Sequence, residues 1–189
     1  MKNTRLIILQ TAIEAIHRNG YAGLRIDKEL AKIGITKGAF YHYFPSKESL
    51  LIAAIKEILG PEYVKPWRKI AEVENDVLGE ISILLQKHID QASRAEVKYG
   101  CIFNNLVHET AAEIQEVRVL LEAYSEKAKL YLKTALEKYK KQIPKFPGSA
   151  EDLANLIFAV YNGSNSMNKL YQKKTPYKKA VKALILLLT

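Results

Sequence analysis

One cysteine, Cys101, is all the thiol this 189-residue chain carries. No internal disulfide can form, and a Cys-rich metal site is excluded. A cytoplasmic protein fits such cysteine usage best. Glycine and proline are scarce too, nine and six, and no stretch is low in complexity. Large-scale disorder is therefore not expected. Long apolar runs are missing. The longest, Ala183 to Leu188 among them, are six residues, far below the ~20 a spanning helix needs, so no membrane partner is expected. The start, Met1-Lys2-Asn3-Thr4-Arg5, has the charge of a secretion signal. The apolar run Leu6 to Leu9 then meets Gln10 and soon Glu14, which rejects a signal peptide. Strand-like alternation and internal repeats are also absent.

What is plentiful is positive charge. Lys and Arg number 29 against 20 Asp and Glu, a net +9. Residues 1–60 carry net +4 and residues 61–189 net +5, so the first third is richer per residue. The remainder still has basic clusters, at Lys138, Lys140, Lys141 and Lys145 and at Lys173, Lys174, Lys178, Lys179 and Lys182. A basic surplus suits nucleic acid or an anionic surface. A solvated Lys-rich face reads the same way, so charge alone does not establish DNA binding.

Helical periodicity runs throughout. Leu6, Leu9, Ile13 and Ile16 recur at three- and four-residue steps, ending at Asn19-Gly20. A short segment from about Asp27 to Ile33 ends at Gly34. Thr36 fits as the N-cap of a third helix through Tyr43. Pro45-Ser46 breaks it, and Ser46 can cap a fourth helix to Leu59, with Gly60-Pro61 closing the head. Beyond lie longer helices: one capped by Asn75 or Asp76 and running to about Ala95, and one around Phe103 to Ala112. A long stripe from Val117 follows, ending near Lys141. Ser149-Ala150-Glu151-Asp152 opens the next helix, to about Tyr171. Thr175-Pro176 opens the last, to Leu188. The expectation is an all-α fold of about nine helices: a helix-turn-helix head over residues 1–60 and a larger helical bundle over 61–189.

Short helices joined by a Gly-containing turn suggest a helix-turn-helix. Its recognition helix must be small and polar in its N-terminal half, since bulk there would hold the backbone away from base edges. Thr36-Lys37-Gly38-Ala39 fits. Phe40 should point into the head core, as should Tyr43 and Phe44. Tyr41 and His42 sit where a side chain can reach a phosphate or base edge, although His42 as a plain exposed residue fits equally. Lys47 can meet a phosphate together with the amides of its helix. Arg5 is expected on a flexible arm ahead of the first helix, placed to contact the DNA backbone or the minor groove.

These residues carry a resemblance. Thr4-Arg5, Gly20-Tyr21 and the run Gly34-Ile35-Thr36-Lys37-Gly38-Ala39-Phe40-Tyr41-His42-Tyr43-Phe44-Pro45-Ser46-Lys47-Glu48-Ser49-Leu50 resemble the TetR (tetracycline-repressor-type) family of bacterial transcription regulators, over about residues 4–56. The resemblance implies a homodimer of all-helical subunits. Its heads would read a palindromic double-stranded operator, and its body would take a small-molecule inducer and dimerise through the last two long helices. The implied DNA contacts are Arg25, Thr36, Lys37, Gly38, Tyr41, His42 and Lys47. The chain departs from the family around Leu24-Arg25, where hydroxyl residues are usual. It also has Glu29 where an apolar residue is usual. A charged Glu29 is not expected to be buried unpaired, so the second helix would start one residue late, capped by Asp27, with a tighter turn.

In the body, Trp67, Phe103, Asn104, His108, Tyr124, Phe158, Tyr161 and Asn162 mix aromatic and polar character at helical spacing. That mixture can line a small-ligand site or simply pack a core. The stretch Gly100-Cys101-Ile102-Phe103-Asn104-Asn105-Leu106-Val107-His108-Glu109 resembles a Gly-Cys/Leu…Asn-Leu…Glu signature in one branch of the same family. Some members of that branch respond to electrophiles through a cysteine. Cys101, with Lys98 three residues away, is therefore a candidate thiol sensor, with a buried inert cysteine as the alternative. The penultimate helix is apolar on more than one side, with Gly163, Ser164 and Ser166 allowing close approach, so a second partner is needed. An enzyme is the remote alternative: His42, His108, Glu109 and Cys101 make no nucleophile–base–orienter or metal motif, and no cofactor is expected. A body that docks a protein in place of a ligand is the nearer alternative.

Overall fold

In the computed structural model the described residues are 4–138 and 146–188. Lys140, Lys141, Pro144 and Lys145, and with them the expected end of the long stripe near Lys141, lie outside them. All regular structure among the described residues is helical. The elements are α1 (Thr4–Asn19), α2 (Ile26–Lys32), α3 (Lys37–Tyr43), α4 (Lys47–Ala54), a π-helical turn (Ile55–Leu59), α5 (Gly60–Ala71), α6 (Val77–Gln91), α7 (Arg94–Tyr99), α8 (Ile102–Thr110), α9 (Gln115–Lys138), α10 (Ala150–Tyr171) and α11 (Thr175–Leu188).

The chain divides into two compact units. One is Met1–Glu62 with Ile102–Ala123, the other Tyr63–Cys101 with Tyr124–Thr189. The first unit thus adds α8 and the start of α9 to the sequence-defined head, and the unit boundaries fall inside α5 and α9. Gly60-Pro61 does not end the fourth helix as expected. Pro61 lacks an N–H and would clash with the carbonyl four residues back in a regular α-helix. The chain widens instead into the π turn just upstream, where the Gly60 amide reaches back five residues to the Ile55 carbonyl. Such a turn absorbs the fault without breaking the helix.

In the first unit α1 packs on α2 and α4, and α2 on α3. Ile8, Ala12, Leu24, Leu30, Phe40 and Leu50 close around a gap of about 10 Å³, no larger than one water needs. Phe44 is buried as expected, but Tyr43 is 38% exposed. Its ring meets that of the exposed His42 edge-on at 5.1 Å. The turn between α2 and α3 is a Schellman closure. Ile35 N–H donates to the Leu30 carbonyl, Gly34 N–H to that of Ala31, and Gly34 takes φ +66°, a conformation open to glycine at little cost. Thr36 caps α3 through the Ala39 amide at 3.2 Å. Ser46 and Ser49 form a reciprocal capping box on α4. Each such cap stabilises by about 1 kcal/mol.

The second helix does not start late. It begins at Ile26, with Arg25 at the N-cap position and no side-chain cap. Glu29 is buried, at 6% exposure, and it is paired. Lys32 Nζ donates to both of its carboxylate oxygens at 2.6 and 2.7 Å, and Arg18 of α1 lies 4.0 Å away. Lys32, with Arg18 as a second cation, offsets the desolvation of the buried carboxylate, which is thus buried but not unpaired. Asp27 does not cap; it pairs with Lys37 at 2.8 Å.

The core of the second unit runs from Trp67 and Ile70 through Val77, Ile81, Leu85 and Ile89 of α6 to Leu132, Leu136, Leu153, Ile157, Val181, Leu184 and Leu188. α11 packs against both α10 and α6, and α7 against α10. Ser149 and Asp152 form a capping box at the start of α10. α6 ends earlier than expected, at Gln91, because Ser93 starts a separate capped helix. Among the described residues, no helix is long and apolar enough to cross a membrane.

Candidate functional site

The N-terminal half of α3 is open to solvent: Thr36, Lys37 and Gly38 are all exposed. A Cβ built on Gly38 meets nothing within 4 Å, so the fold itself does not require glycine there. His42 is exposed, and Tyr41 is 55% exposed. Phe40 alone in this helix is fully buried. It anchors α3 and turns the other side chains outward.

Beside α3 lies an open groove of about 700 Å³, lined by Leu24, Arg25, Ile26, Asp27, Lys28, Tyr41 and Lys47. Three cations against one carboxylate make it a basic groove. Arg25, Tyr41 and Lys47 were expected at a DNA contact. Lys28 was missed, although its place one helical turn after Arg25 is a usable signal. Lys47 is held firmly: its ammonium donates to the Ala22 carbonyl at 3.2 Å and sits 4.6 Å over the Tyr21 ring. Burial lowers its pKa, Glu109 opposing this and nearby Arg25 adding to it. The Lys37 pKa is raised by its bond to Asp27; an exposed pair of this kind is readily exchanged for a phosphate. Arg5 is not on an arm. It lies in the first turn of α1, paired with Glu57 and 5.0 Å over the Phe44 ring.

The expected ligand residues divide. Phe103, Asn104 and His108 belong to the first unit, where Phe103 is buried and His108 exposed. Trp67, Tyr124, Phe158, Tyr161 and Asn162 belong to the second. There Trp67 stacks on Phe158 at 4.5 Å and meets Tyr161 edge-on at 5.4 Å. His88, absent from the sequence-based set, packs on Tyr161 and Tyr177, and its Nε2 lies 3.2 Å from Asn165 Oδ1. Asn165 Nδ2 and Tyr177 OH are buried with no hydrogen-bond partner among the described residues. Desolvation pushes the Tyr63 pKa up to about 12, with Cys101 adding to the rise and bonds to Asn162 and Ser125 opposing it. Tyr161 and Tyr177 are raised by the same burial, again with a contribution from Cys101. Cys101 itself is half-buried.

Burial also lowers the His88 pKa below its ordinary 6.5, while Asn165 and Glu96 oppose this. The unfolded chain therefore takes up the proton first as pH falls. The stability tied to neutral His88 is whole above the ordinary value and is lost below it, until the folded pKa is passed. Thermal melts between about pH 7.5 and about pH 5 should show a falling Tm, and His88→Gln should flatten the fall. An unchanged slope in that variant would contradict this assignment.

Two family models match the chain. "Bacterial regulatory proteins, tetR family" covers residues 8–54, and "Tetracyclin repressor-like, C-terminal domain" covers residues 78–184. An uncharacterized HTH-type transcriptional regulator in the lacX 3' region of Lactococcus lactis subsp. lactis is 30% identical over 127 residues, 65% of this chain and 62% of its own. This chain thus spans under two thirds of that relative's length. The HTH-type transcriptional repressor NemR of Escherichia coli K12 is 22% identical over 180 residues, 95% of this chain and 90% of its own. A crystal structure of E. coli NemR in its reduced form superposes with a TM-score of 0.84 over 99% of this chain and 98% of that one, at 22% identity. A helix-turn-helix with an open recognition helix, a helical second unit and both family matches lead to one assignment: the chain belongs to the TetR family of bacterial transcription regulators.

Proposed function

We propose that the chain is a repressor that binds a palindromic operator as a homodimer in the cytoplasm and is released by a small-molecule inducer. The observation that carries this reading is the basic groove. Arg25, Lys28, Tyr41 and Lys47 meet around it, next to an α3 whose Thr36, Lys37, Gly38 and His42 are exposed. Cations and helix N-termini bind phosphates and set the register on the duplex. Thr36, Lys37, Gly38, Tyr41 and His42 then approach the base edges.

A surface stripe supports the dimer. Leu156, Val160, Gly163, Met167 and Leu170 follow a four-three spacing along α10, the pattern of a helix seam. Leu156, Met167 and Leu170 are 39%, 43% and 66% exposed. Gly163 offers open space at its centre. For the inducer, the support is the aromatic cluster of the second unit with its two buried, unpaired polar atoms, which suit a planar ligand bearing a polar edge. Inducer binding would favour a dimer whose head spacing no longer fits the operator.

A second reading makes Cys101 the group acted upon. Its half-buried thiol, which contributes to the raised pKa of Tyr63, Tyr161 and Tyr177, favours it. Operator affinity unchanged by alkylation of Cys101 would exclude it. A protein-docking body remains the alternative if no small molecule releases the operator. Binding to the DNA flanking the gene, against scrambled DNA, tests the central reading.

A further inference from the structure

We propose that Glu109 of α8 is a positioning residue for DNA binding: it holds the turn after α1, and through that turn it holds Lys47 at the groove. The inference rests on the operator-binding reading above. All the groups involved lie within the first unit.

The Glu109 carboxylate grips two consecutive backbone amides. Oε2 accepts from Tyr21 N–H and Oε1 from Ala22 N–H, each at 2.7 Å. A carboxylate on two amides makes strong, directional bonds. Gly20 makes the approach possible. Its φ is +76°, and a Cβ there would stand 2.8 Å from Oε1. The same two residues hold Lys47 from their other side. The Ala22 carbonyl accepts from its ammonium at 3.2 Å, and the Tyr21 ring lies beneath it at 4.6 Å. Glu109 is also near enough to act on Lys47 by charge. Lys47 in turn lines the groove with Arg25 and Tyr41.

Glu109 thus ends a short mechanical chain: α8, the 21–22 peptide, Lys47, phosphate. α8 begins at Ile102, the residue after Cys101. A shift of α8 would draw the carboxylate away from the amides and leave Lys47 without its seat. Nothing in the motif around α3 announces this role, because Glu109 lies far along the chain from the head.

The test is the sign of one substitution. Glu109→Gln is nearly isosteric, removes a negative charge and leaves one of the two amides without an acceptor. Charge alone would strengthen DNA binding. The positioning role predicts the reverse: operator affinity falls by roughly tenfold or more, and the log–log salt slope falls by about 1.8, one phosphate contact in each of the two heads. Glu109→Asp keeps the charge but shortens the reach, and it should weaken binding in the same direction. Lys47→Met should weaken binding as well, and adding Glu109→Gln to it should cost nothing further, since both remove one contact. If wild type prefers the flanking DNA but Glu109→Gln binds as well or better, or if the two substitutions add, the positioning role is overturned and the operator reading stands. If wild type itself shows no preference, both fall together.

Discussion

Replacing Gly38 by leucine is expected to leave the fold intact and to end operator recognition. Gly38 is the second residue of α3 and is exposed. It does not need glycine's left-handed freedom, since the glycines with positive φ are Gly20, Gly34 and Gly100. A side chain there meets no neighbour within 4 Å. Within a helix, leucine is favoured over glycine by roughly 0.5–1 kcal/mol, so thermal stability should hold or rise. Against DNA the same side chain would stand between the backbone and the base edges. Affinity for the operator should fall to the non-specific level, a loss of about 10³-fold. Melting curves and binding isotherms on the same preparation separate the two effects. A Gly38→Leu protein that is stable and still selective would show that α3 is not the reading element.

The second large effect concerns assembly. A two-fold axis across α10 would set each Met167 and Leu170 near its own copy or near the other's. The double change Met167→Glu, Leu170→Glu therefore brings like charges together in a desolvated seam, while on an isolated subunit it only replaces exposed apolar groups. Sedimentation should show a monomer with unchanged helicity. Operator binding should weaken by about 10²–10⁴-fold, because one head alone forfeits the effective concentration of the second. A variant that remains dimeric would move the interface elsewhere, α11 being the next candidate, with Leu186 and Leu187 at 65% and 71% exposure.

The parts of this molecule that could be read from the sequence were those governed by local chemistry. Thr36, Ser46 and Ser149 cap helices because a hydroxyl meets an amide three residues on. Gly34 ends α2 because its backbone must turn left-handed. Those contacts span a few residues, so their spacing is visible in the chain. The parts that were not legible depend on distant partners. Glu29 is a mixed case: its main partner, Lys32, is one helical turn on and visible in the sequence, whereas the second cation, Arg18 of α1 at 4.0 Å, comes only from tertiary packing. Arg5 looks free until Glu57 and Phe44 are placed around it. Pro61 looks like a stop, and it becomes tolerable only through the π turn before it. His88 and Tyr177 are polar-tipped and carry a weaker signal, although both keep helical step with core residues, His88 with Ile81 and Leu85, Tyr177 with Val181 and Leu184. A polar side chain in phase with an apolar stripe was the available signal. Nor could spacing reveal that residues 102–123 join the compact unit of the head, since that depends on tertiary packing.

The most direct test of the account is anisotropy binding of the protein to the intergenic DNA flanking its own gene, beside a scrambled fragment, across a salt series. The native fragment should be preferred by about 10³-fold or more, the low end for specific readout. Affinity for both fragments should weaken as salt rises. Equal, salt-sensitive binding to the two would contradict the account, reducing the basic groove to general attraction for phosphate.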